Sequence, residues 1–439
     1  MLVTSGLRGL RSHVRRCSTA APEPTKRSLV RGALATGTLG AFACFASLSY
    51  RDGSAVTLAR FDSKLRPTLA SVLPHSLFVW IYSSSRSLFL SLLARGGFGE
   101  VTEFPSPCSV LGLSFRSDLG NSAGLDKEGA LLDFNYDLGA GFAVVGTVLS
   151  APHTGNLFPM WGGLLQMNAW TPLPFSGGAL NSLGLPAYGV DVAVRNIEDF
   201  RKRRGIEPQK SGQSVPLQKR FPIGVSIMGH PKQDGQEKLE GVLECLRKTI
   251  PVADFIEINE SCPNVKHGGD SDGLAARLAA VTKVRDEMIS SAGRRVPVFV
   301  KLGDVGDAEA TVNLLAKSGV DGMVALNTQR DYSSFDLPLV DQSLLEHYTS
   351  VYGGGLSGPP IRERAMKQIA AVTAAVRKQR LDGRFAVIHV GGLSCAEDVQ
   401  QSRRTGAGLR QWYTGMVNAL AEGHSPRQLY PTVTAAPGV

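Results

Sequence analysis

The sequence has few cysteines, and none is spaced for metal binding or for a disulfide framework. Six cysteines are scattered over 439 residues, with no CxxC pair and no histidine at ligand spacing. They are Cys17, Cys44, Cys108, Cys245, Cys262 and Cys395. The cysteine pattern therefore predicts neither a metal centre nor a set of structural disulfides.

The sequence also lacks the glycine fingerprint of a dinucleotide-binding fold. No GxGxxG motif follows the first apolar, strand-like run, which argues against a doubly wound sheet of the Rossmann type. Glycine itself is abundant, at 49 residues, and hydrophobic residues make up 43% of the chain. A chain of this length and composition suits a large α/β barrel with an extension.

Acidic residues are nearly absent from the first 31 residues. This segment carries six arginines and one lysine against one acid, Glu23. An Arg-rich, Ser-containing, acid-poor start predicts a mitochondrial transit peptide over residues 1–31. The formal net charge of +9 is therefore partly a property of the leader, and it gives little support for nucleic-acid binding.

Charge is absent altogether from residues 32–50. This stretch is just long enough to cross a bilayer and is moderately hydrophobic, so it predicts one transmembrane helix. The positive charge before it predicts an N-terminus in the mitochondrial matrix and a main body on the intermembrane-space side of the inner membrane. The alternative is a secretory signal or an apolar leader that is removed by cleavage.

Residues 65–98 have apolar side chains at near-helical spacing, interrupted by Pro67 and Pro74. The pattern predicts a short helix, a turn at Pro74 and a longer second helix. The second helix is more apolar than one buried stripe requires. The pair could be an ordinary hairpin packed on the main domain. It could also lie at a membrane surface and form an entrance for a lipid-soluble molecule, which its place beside the predicted anchor favours.

After Val110, apolar strand-like runs alternate with helical stretches. Repeated strand–helix units with polar strand ends predict a (β/α)8 TIM barrel over residues 105–433. The predicted strands are Phe142–Val148, Ile223–Ile227, Phe255–Asn259, Val298–Leu302, Gly322–Leu326, Ala386–Val390 and Leu409–Tyr413. The predicted helices are Asp191–Arg203, Lys238–Lys248, Leu274–Ser290, Ala308–Ser318, Arg364–Lys378 and Ala396–Thr405.

Polar and glycine residues follow the predicted strands. Cys262 lies between Asn259 and Asn264 in a loop after a buried strand, where two amides could grip one planar polar substrate. Lys301 closes another strand, while a glycine loop at residues 353–358 and glycines late in the barrel suit a phosphate cradle. Each feature alone has an ordinary explanation, such as a tight turn or a solvated lysine. Together, at the strand ends, they predict one binding site.

These segments together resemble the dihydroorotate dehydrogenases, FMN enzymes of pyrimidine biosynthesis. The resemblance covers roughly residues 111–419 and rests on the ordered motifs INESCPN, VKL, LNT, GGGLSG, VGG and YTG. The order of leader, apolar span, hairpin and barrel resembles the membrane-bound, quinone-reducing class. The resemblance implies oxidation of dihydroorotate to orotate on the route to UMP, with electrons passed to a ubiquinone-type acceptor in the inner membrane lipid.

The resemblance also implies roles for particular residues. Cys262 takes the place of the proton-abstracting base, which a nearby cation such as Lys127 would activate. The residues implied to contact FMN are Ala123, Gly124, Lys127, Thr147, Ser226, Asn259, Lys301, Gly358, Gly392, Tyr413 and Thr414. Those implied to surround the substrate are Lys127, Asn181, Asn259, Asn264, Asn327 and Thr328. No metal is implied.

Two positions differ from the quinone-reducing class at the base and the substrate loop. That class usually carries serine where this chain has Cys262, and cysteine is typical of the soluble class. The segment NSLGLP, which begins at Asn181, also resembles the soluble class. Quinone and fumarate therefore both stay open as electron acceptors.

Other departures lie at the expected acceptor route and the flavin. LFPMW replaces the usual PRPR after Asn156, so the expected tunnel arginine is absent, and Ala70 replaces the hairpin glutamine. Ser226 and Leu326 replace a common asparagine and threonine, and Glu207–Gln218 is an insert. Another flavin barrel acting on a different dihydropyrimidine-like substrate, or a non-catalytic membrane-anchored paralogue, stays open as an alternative.

Overall fold

The computed structural model describes residues 53–160, 163–210, 212–260, 271–422 and 425–435. The predicted transit peptide at 1–31 and the predicted transmembrane helix at 32–50 lie outside these residues, as do Cys262 and Asn264. The described chain begins with a helical hairpin, continues into a parallel barrel and adds small antiparallel sheets.

The helices and strands are numbered in chain order. The helices are α1 (Ser54–Val72), α2 (His75–Arg95), α3 (Leu132–Asp137), α4 (Val190–Arg204), α5 (Gly235–Thr249), α6 (Ser271–Ala292), α7 (Ala308–Lys317), α8 (Leu339–Tyr352), α9 (Arg362–Lys378), α10 (Ala396–Thr405), α11 (Thr414–Ala421) and α12 (Leu429–Thr434). The strands are β1 (Cys108–Val110), β2 (Leu113–Phe115), β3 (Leu119–Asn121), β4 (Ala143–Val148), β5 (Phe158–Met160), β6 (Leu165–Met167), β7 (Ala169–Leu173), β8 (Gly178–Ser182), β9 (Ile223–Ile227), β10 (Phe255–Asn259), β11 (Val298–Leu302), β12 (Gly322–Ala325), β13 (Gly355–Ser357), β14 (Ala386–Val390) and β15 (Leu409–Trp412).

The predicted TIM barrel is confirmed. Eight parallel strands follow the order β3-β15-β14-β12-β11-β10-β9-β4. The predicted bounds of β9, β10, β11 and β14 match the observed ones, and the other three predicted strands differ by one residue at an end. Buried parallel strands are nearly continuous apolar runs, so their ends are marked by the first polar or glycine residue.

The barrel closes between β3 and β4 through a side chain. The Asn121 carboxamide donates to the backbone oxygen of Val144 at 2.8 Å and accepts from the N–H of the same residue at 3.1 Å. The N–H of Gly141 donates to Leu119 O at 2.8 Å beside it. Strand β3 was not predicted from the sequence, because its three residues, one a glycine and one an amide, form no apolar run.

Aromatic rings fill the half of the barrel at the N-terminal ends of its strands. The rings of Phe115, Phe142, Phe255 and Phe299 meet edge to face in a chain, and the β1–β2 hairpin contributes the first of them. The insert Glu207–Gln218 also packs at this end, where the Gln209 side chain bonds both backbone groups of Ser114 at 2.8 Å. The N-terminal end of the barrel is therefore packed, and open space is left at the other end.

The helical hairpin is longer than predicted. The hairpin was expected over residues 65–98, but α1 begins at Ser54 and contains Pro67 within it. A proline in a helix removes one backbone hydrogen bond. Ala55 and Val56 nevertheless bury themselves in the core that also contains α11, and such tertiary packing holds the early turns in place. The predicted break at Pro74 is where the two helices separate.

A three-stranded antiparallel sheet, β13-β8-β7, lies between the barrel and the hairpin. Phe78, Val79 and Tyr82 of α2 pack in one core with this sheet and with α8. The sheet corrects two predictions. Residues 353–358 were predicted to be a flexible loop, but they include β13, which pairs with β8. Asn181 begins the segment NSLGLP, which was predicted to be a substrate loop, but it lies on strand β8.

The hairpin has an apolar outer surface. Within the described part of the chain, α2 is the helix long and apolar enough to cross a membrane, judged by length and composition alone, with a mean hydropathy of 1.4. Leu65, Val72 and Leu88 expose 58%, 67% and 63% of their surface. Such exposure on two neighbouring helices is more than scattered surface leucines would give, and it marks a candidate interaction surface.

Candidate active site

A cavity opens at the carboxyl ends of the barrel strands, where enzymes of this fold place their sites. Its empty volume is about 1270 Å³, including the part open to solvent. The lining comes from barrel strand ends, from the antiparallel sheet and from Arg66 of α1. The cavity thus joins three parts of the molecule that are far apart in sequence.

The cavity brings together all but one of the predicted site residues that the structure describes. Ser226 lies beneath the lining and does not face the cavity itself. The residues that line it are Ala123, Gly124, Lys127, Thr147, Asn181, Asn259, Lys301, Asn327, Thr328, Gly358, Gly392, Tyr413 and Thr414. Cys262 and Asn264 fall outside the described residues, but β10, which leads into their loop, ends at the cavity with Asn259.

A buried hydrogen-bonded row positions the amide of Asn259. Its Nδ2 donates to Thr147 Oγ1 at 2.8 Å, and that hydroxyl lies 3.0 Å from Ser226 Oγ. The three residues come from the neighbouring strands β10, β4 and β9. Because all three side chains are buried, the row fixes the Asn259 amide more firmly than an exposed contact would.

Lys301 stands beside Asn259 in the strand register, and it is 3% exposed. One layer of side chains deeper in the barrel, Gln411 Nε2 donates to Glu257 Oε1. Burial raises the pKa of Glu257, while Lys301 and the Gln411 bond lower it in part. Glu257 and Gln411 were not predicted as site residues, although a lone acid within the buried strand FIEIN was a usable signal.

The loop after β3 is held by a buried carboxylate. Asp126 accepts the N–H groups of Gly129 at 2.8 Å and Leu131 at 3.0 Å. Burial raises its pKa to about 7, although the two backbone bonds act in the opposite direction. The loop turns Gly124 and Lys127 toward the cavity. A Cβ added at Gly124, whose φ is +101°, would meet no protein atom within 4 Å, so a ligand could lie against this backbone.

The far end of the cavity is built from glycines and the start of α11. The Tyr413 N-cap makes no side-chain hydrogen bond to the helix, and Ser357 Oγ lies 2.9 Å from Thr414 Oγ1. A Cβ at Gly392 would meet Arg362 Cα at 2.3 Å, so only glycine allows this loop to approach α9. Backbone N–H groups at a helix start favour an anionic group such as a phosphate.

The hairpin places two arginines at the cavity. Arg86 Nη2 donates to the Tyr413 hydroxyl at 3.0 Å and to Gly124 O at 3.3 Å. Arg66 lines the cavity and its Nε donates to Asp62 Oδ2 at 2.8 Å. Neither arginine was predicted as a site residue from the sequence. A single charge inside the apolar helix FVWIYSSSRSLFLSLL was the available signal for Arg86.

The residues present fit an FMN molecule. The amide of Asn259, the ammonium of Lys301 and the hydroxyl of Thr147 supply polar groups for a heteroaromatic ring. The space against Gly124 suits a flat group, and the start of α11 suits the phosphate. These features occur in one cavity and on the strand ends that the sequence motifs predicted.

Comparison with known proteins agrees with this site. The family model for dihydroorotate dehydrogenase matches residues 107–422. A dihydroorotate dehydrogenase (quinone) from Acidovorax sp. is 31% identical over 366 residues, which cover 79% of this chain and 95% of that protein. One from Stenotrophomonas maltophilia is 30% identical over 320 residues, covering 71% and 80%.

A solved structure supports the fold. The DHODH of Eimeria tenella in complex with ferulenol aligns with a TM-score of 0.63 at 22% identity, covering 80% of this chain and 90% of that one. The family match extends across the whole barrel and includes every lining residue named above except Arg66. The chain belongs to the dihydroorotate dehydrogenase family, FMN-dependent oxidoreductases of pyrimidine biosynthesis that oxidise dihydroorotate.

Proposed function

We propose that this chain oxidises dihydroorotate to orotate with bound FMN and passes the electrons to a membrane quinone. The observation that carries the proposal is the single cavity in which the predicted flavin and substrate residues converge. The names of its relatives, dihydroorotate dehydrogenase (quinone), favour the same substrate and acceptor. A non-catalytic paralogue would leave this convergence without a purpose, and the names of the relatives favour dihydroorotate over a different dihydropyrimidine.

Desaturation of a carbon–carbon bond next to a carbonyl removes a proton from one carbon and a hydride from the other. FMN, when bound, accepts the hydride. The chain must supply a base for the proton, and Cys262 is the proposed base. Its support is its position three residues after Asn259, on the loop that leaves the cavity end of β10. A thiol works as a base only after its pKa is lowered, and Lys127 is the cation proposed to lower it.

The other lining residues receive binding roles in this proposal. Asn181, Asn259 and Asn327 offer amide donors and acceptors to a planar pyrimidine with two carbonyl groups. The residue opposite Asn259 in register is Lys301, and its ammonium favours negative charge on the reduced flavin. Thr328 and Asn264 complete the proposed substrate shell.

The acceptor is proposed to enter between the helices of the hairpin. Leu65, Val72 and Leu88 expose apolar surface on the outside of these two helices, and Arg86 reaches from α2 to Tyr413 at the cavity wall. A lipid-soluble quinone could therefore approach the flavin without crossing water. Arg86 would also supply the positive charge that the barrel lacks after Asn156, where LFPMW occurs.

The proposed location is the mitochondrial inner membrane, with one span at residues 32–50 and the barrel on the intermembrane-space side. The support is the composition of residues 1–50 alone, since the relatives named above are bacterial. Protease treatment of isolated mitochondria that contain a C-terminally tagged chain tests the location. Loss of the tag after the outer membrane is opened is expected, and a tag protected until the inner membrane is opened contradicts it.

The spectrum of the purified protein tests the reaction. We expect a yellow protein that releases FMN, not FAD, on denaturation, and that bleaches when dihydroorotate is added. A yellow protein that does not bleach would favour another flavin enzyme, and a colourless one would favour the non-catalytic paralogue.

The variant Cys262→Ala tests the proposed base. It should keep FMN but slow flavin reduction by a factor of about 10²–10⁴. Cys108→Ala, at the opposite end of the barrel on β1, is the matched control and should reduce at the wild-type rate. Reduction of Cys262→Ala within a few-fold of wild type would place the base elsewhere, with Ser261 as the first candidate.

A further inference from the structure

The barrel interior contains an acid that the proposed reaction does not use. Within the eight barrel strands, charged or histidine side chains occur at Glu257, Lys301, His389 and Arg410. His389 and Arg410 point outward, because both contact Ser402 of α10, at 2.8 Å and 3.1 Å. Glu257 and Lys301 point inward, so Lys301 is the charged strand residue that faces Glu257.

Glu257 and Gln411 meet across the barrel. Glu257 lies on β10 and Gln411 on β15, which are separated by three strands on either side. Both residues are fully buried, and Gln411 Nε2 donates to Glu257 Oε1. Glu257 lies two residues before Asn259, which places it roughly 7 Å below the layer that faces the cavity.

The hydrogen-bonding capacity of this pair is unbalanced when Glu257 is ionised. Glu257 Oε2 and Gln411 Oε1 are both buried and both without a partner. A carboxylate and an amide oxygen are acceptors only, so neither can satisfy the other. Rotating the Gln411 amide by a half-turn exchanges its oxygen and nitrogen but still leaves two acceptors and no donor between them. One additional proton supplies the missing donor.

We propose that Glu257 is protonated in the folded protein and forms a two-point acid–amide pair with Gln411. Glu257 Oε2–H donates to Gln411 Oε1, and Gln411 Nε2–H donates to Glu257 Oε1. The proton comes from solvent and no electrons move. The pair is a brace across the barrel that holds Gln411, a residue that lines the cavity. Glu257 is thus a positioning residue, since it does not itself line the cavity.

Burial makes the neutral acid the favoured form. A carboxylate without full hydrogen bonding in an apolar interior is costly, and such groups take up a proton instead. The pKa of Glu257 is raised by burial, with Lys301 acting against that shift. Its other neighbours in the sheet register, Ser226 and Phe299, carry no charge.

The protonation state has a consequence for the flavin, and this part rests on the proposed function. An ionised Glu257 would place a negative charge below the cavity that is proposed to hold the flavin and would oppose the field of Lys301, which would make the flavin harder to reduce. A protonated Glu257 places no negative charge there. The acid–amide pair therefore connects β10 and β15 below the cavity without adding a negative charge, so the effect of Lys301 on the flavin is preserved.

Infrared spectroscopy of the whole protein tests the protonation directly. A protonated carboxyl has a C=O band that a carboxylate lacks, and this band shifts in D₂O. We expect such a band at pH 7 with and without FMN, and its loss in Glu257→Gln. Asp126→Asn is the control, because Asp126 is another buried acid whose pKa burial raises, to about 7, and this variant should keep the Glu257 band. Loss of carboxylate bands in Glu257→Gln, with no carboxyl band lost, would overturn the proposal.

The flavin midpoint potential gives a second, independent measurement. Glu257→Gln replaces the neutral acid by a neutral amide, so the midpoint potential at pH 7 should stay at the wild-type value. A clear rise would mean that a negative charge had been removed, and it would refute the proposal. If Glu257→Gln does not fold, Gln411→Leu decides: the carboxyl band should persist but shift, because its partner is gone. If the protein binds no flavin, the proposed function fails, while the infrared test on the flavin-free protein still decides the state of Glu257.

Discussion

Ser226 does not line the cavity, but it is hydrogen-bonded to Thr147, which does. Its hydroxyl is 3.0 Å from Thr147 Oγ1, which in turn accepts from the Asn259 amide. Removing the Ser226 hydroxyl leaves the buried Thr147 hydroxyl with one partner fewer, at a cost of about 1 kcal/mol. We expect Ser226→Ala to weaken FMN binding roughly fivefold, as measured by quenching of flavin fluorescence. Ser290→Ala, on the exposed side of α6, is the control, and equal affinities in the two variants would contradict a role for Ser226.

Asp126 gives the fold a dependence on pH. Burial raises its pKa from 3.8 in the unfolded reference to about 7, so the folded chain holds this proton more tightly. The stability that this contributes is complete below about pH 4 and is lost as pH rises through about 7. We expect Asp126→Asn to remove this loss. The free energy of unfolding of the variant should therefore rise relative to that of wild type by a few kcal/mol between pH 4 and pH 8. Urea unfolding at several pH values measures the difference, and parallel curves for the two proteins would refute the prediction.

Single site residues were predictable from the sequence where they lie at the end of an apolar strand. Asn259 and Lys301 end apolar runs, so their place at the cavity follows from the rule that parallel strands share one polar edge. Gln411 and Glu257 were not predictable in this way, because each lies inside a strand and their contact joins residues 154 positions apart. Ser226 was selected through the family resemblance, and its indirect position required the structure.

The α2 helix is the element that links the cavity to the hairpin surface. Arg86 donates to Tyr413 and to Gly124 O, so it couples the helix to both the end of β15 and the loop after β3. We expect Arg86→Met to leave flavin reduction by dihydroorotate within a few-fold of wild type. Reoxidation by a short-chain quinone should slow about tenfold, because a hydrogen bond to a charged group is worth roughly 1.5–3 kcal/mol.

The control for Arg86 lies on the same helix. Arg95 is exposed at the end of α2, and Arg95→Met removes the same charge without touching the cavity. Stopped-flow measurement of the two half-reactions separates the effects. A slower reductive half-reaction in Arg86→Met, with unchanged reoxidation, would assign Arg86 to the substrate side and not to the acceptor route.

Elements marked by a local residue pattern were predictable from the sequence, and elements defined by long-range pairing were not. The barrel strands β9, β10, β11 and β14 are apolar runs bounded by polar residues, so their limits can be read locally. β13 is three residues within a glycine-rich segment, and it becomes a strand only because it pairs with β8, more than 170 residues earlier. The start of α1 was missed for a similar reason, since its first turn depends on packing with the core around α11.

Taken as a whole, the chain combines features of two enzyme classes. Cys262 and the NSLGLP segment resemble the soluble class, whereas the hairpin, with its exposed Val72 and Leu88, suits a membrane surface. The two groups of features lie in different parts of the sequence. The first belong to the proposed substrate site, and the second belong to the proposed route by which electrons leave. A change of the proposed base therefore does not require a change of acceptor.

A truncated chain that begins at Arg51 separates these contributions. The described residues from Gly53 onward belong to one compact unit, so the truncated protein should fold, bind FMN and be reduced by dihydroorotate at close to the full-length rate. It keeps α1 and α2, and with them the contact between Arg86 and Tyr413. If the hairpin provides the acceptor route, the reduced protein should be reoxidised by a short-chain quinone faster than by fumarate. Stopped-flow mixing with each acceptor in turn measures both rates. Faster reoxidation by fumarate would mean that Cys262 and NSLGLP mark the true acceptor class, and that the hairpin surface serves only to place the enzyme at the membrane.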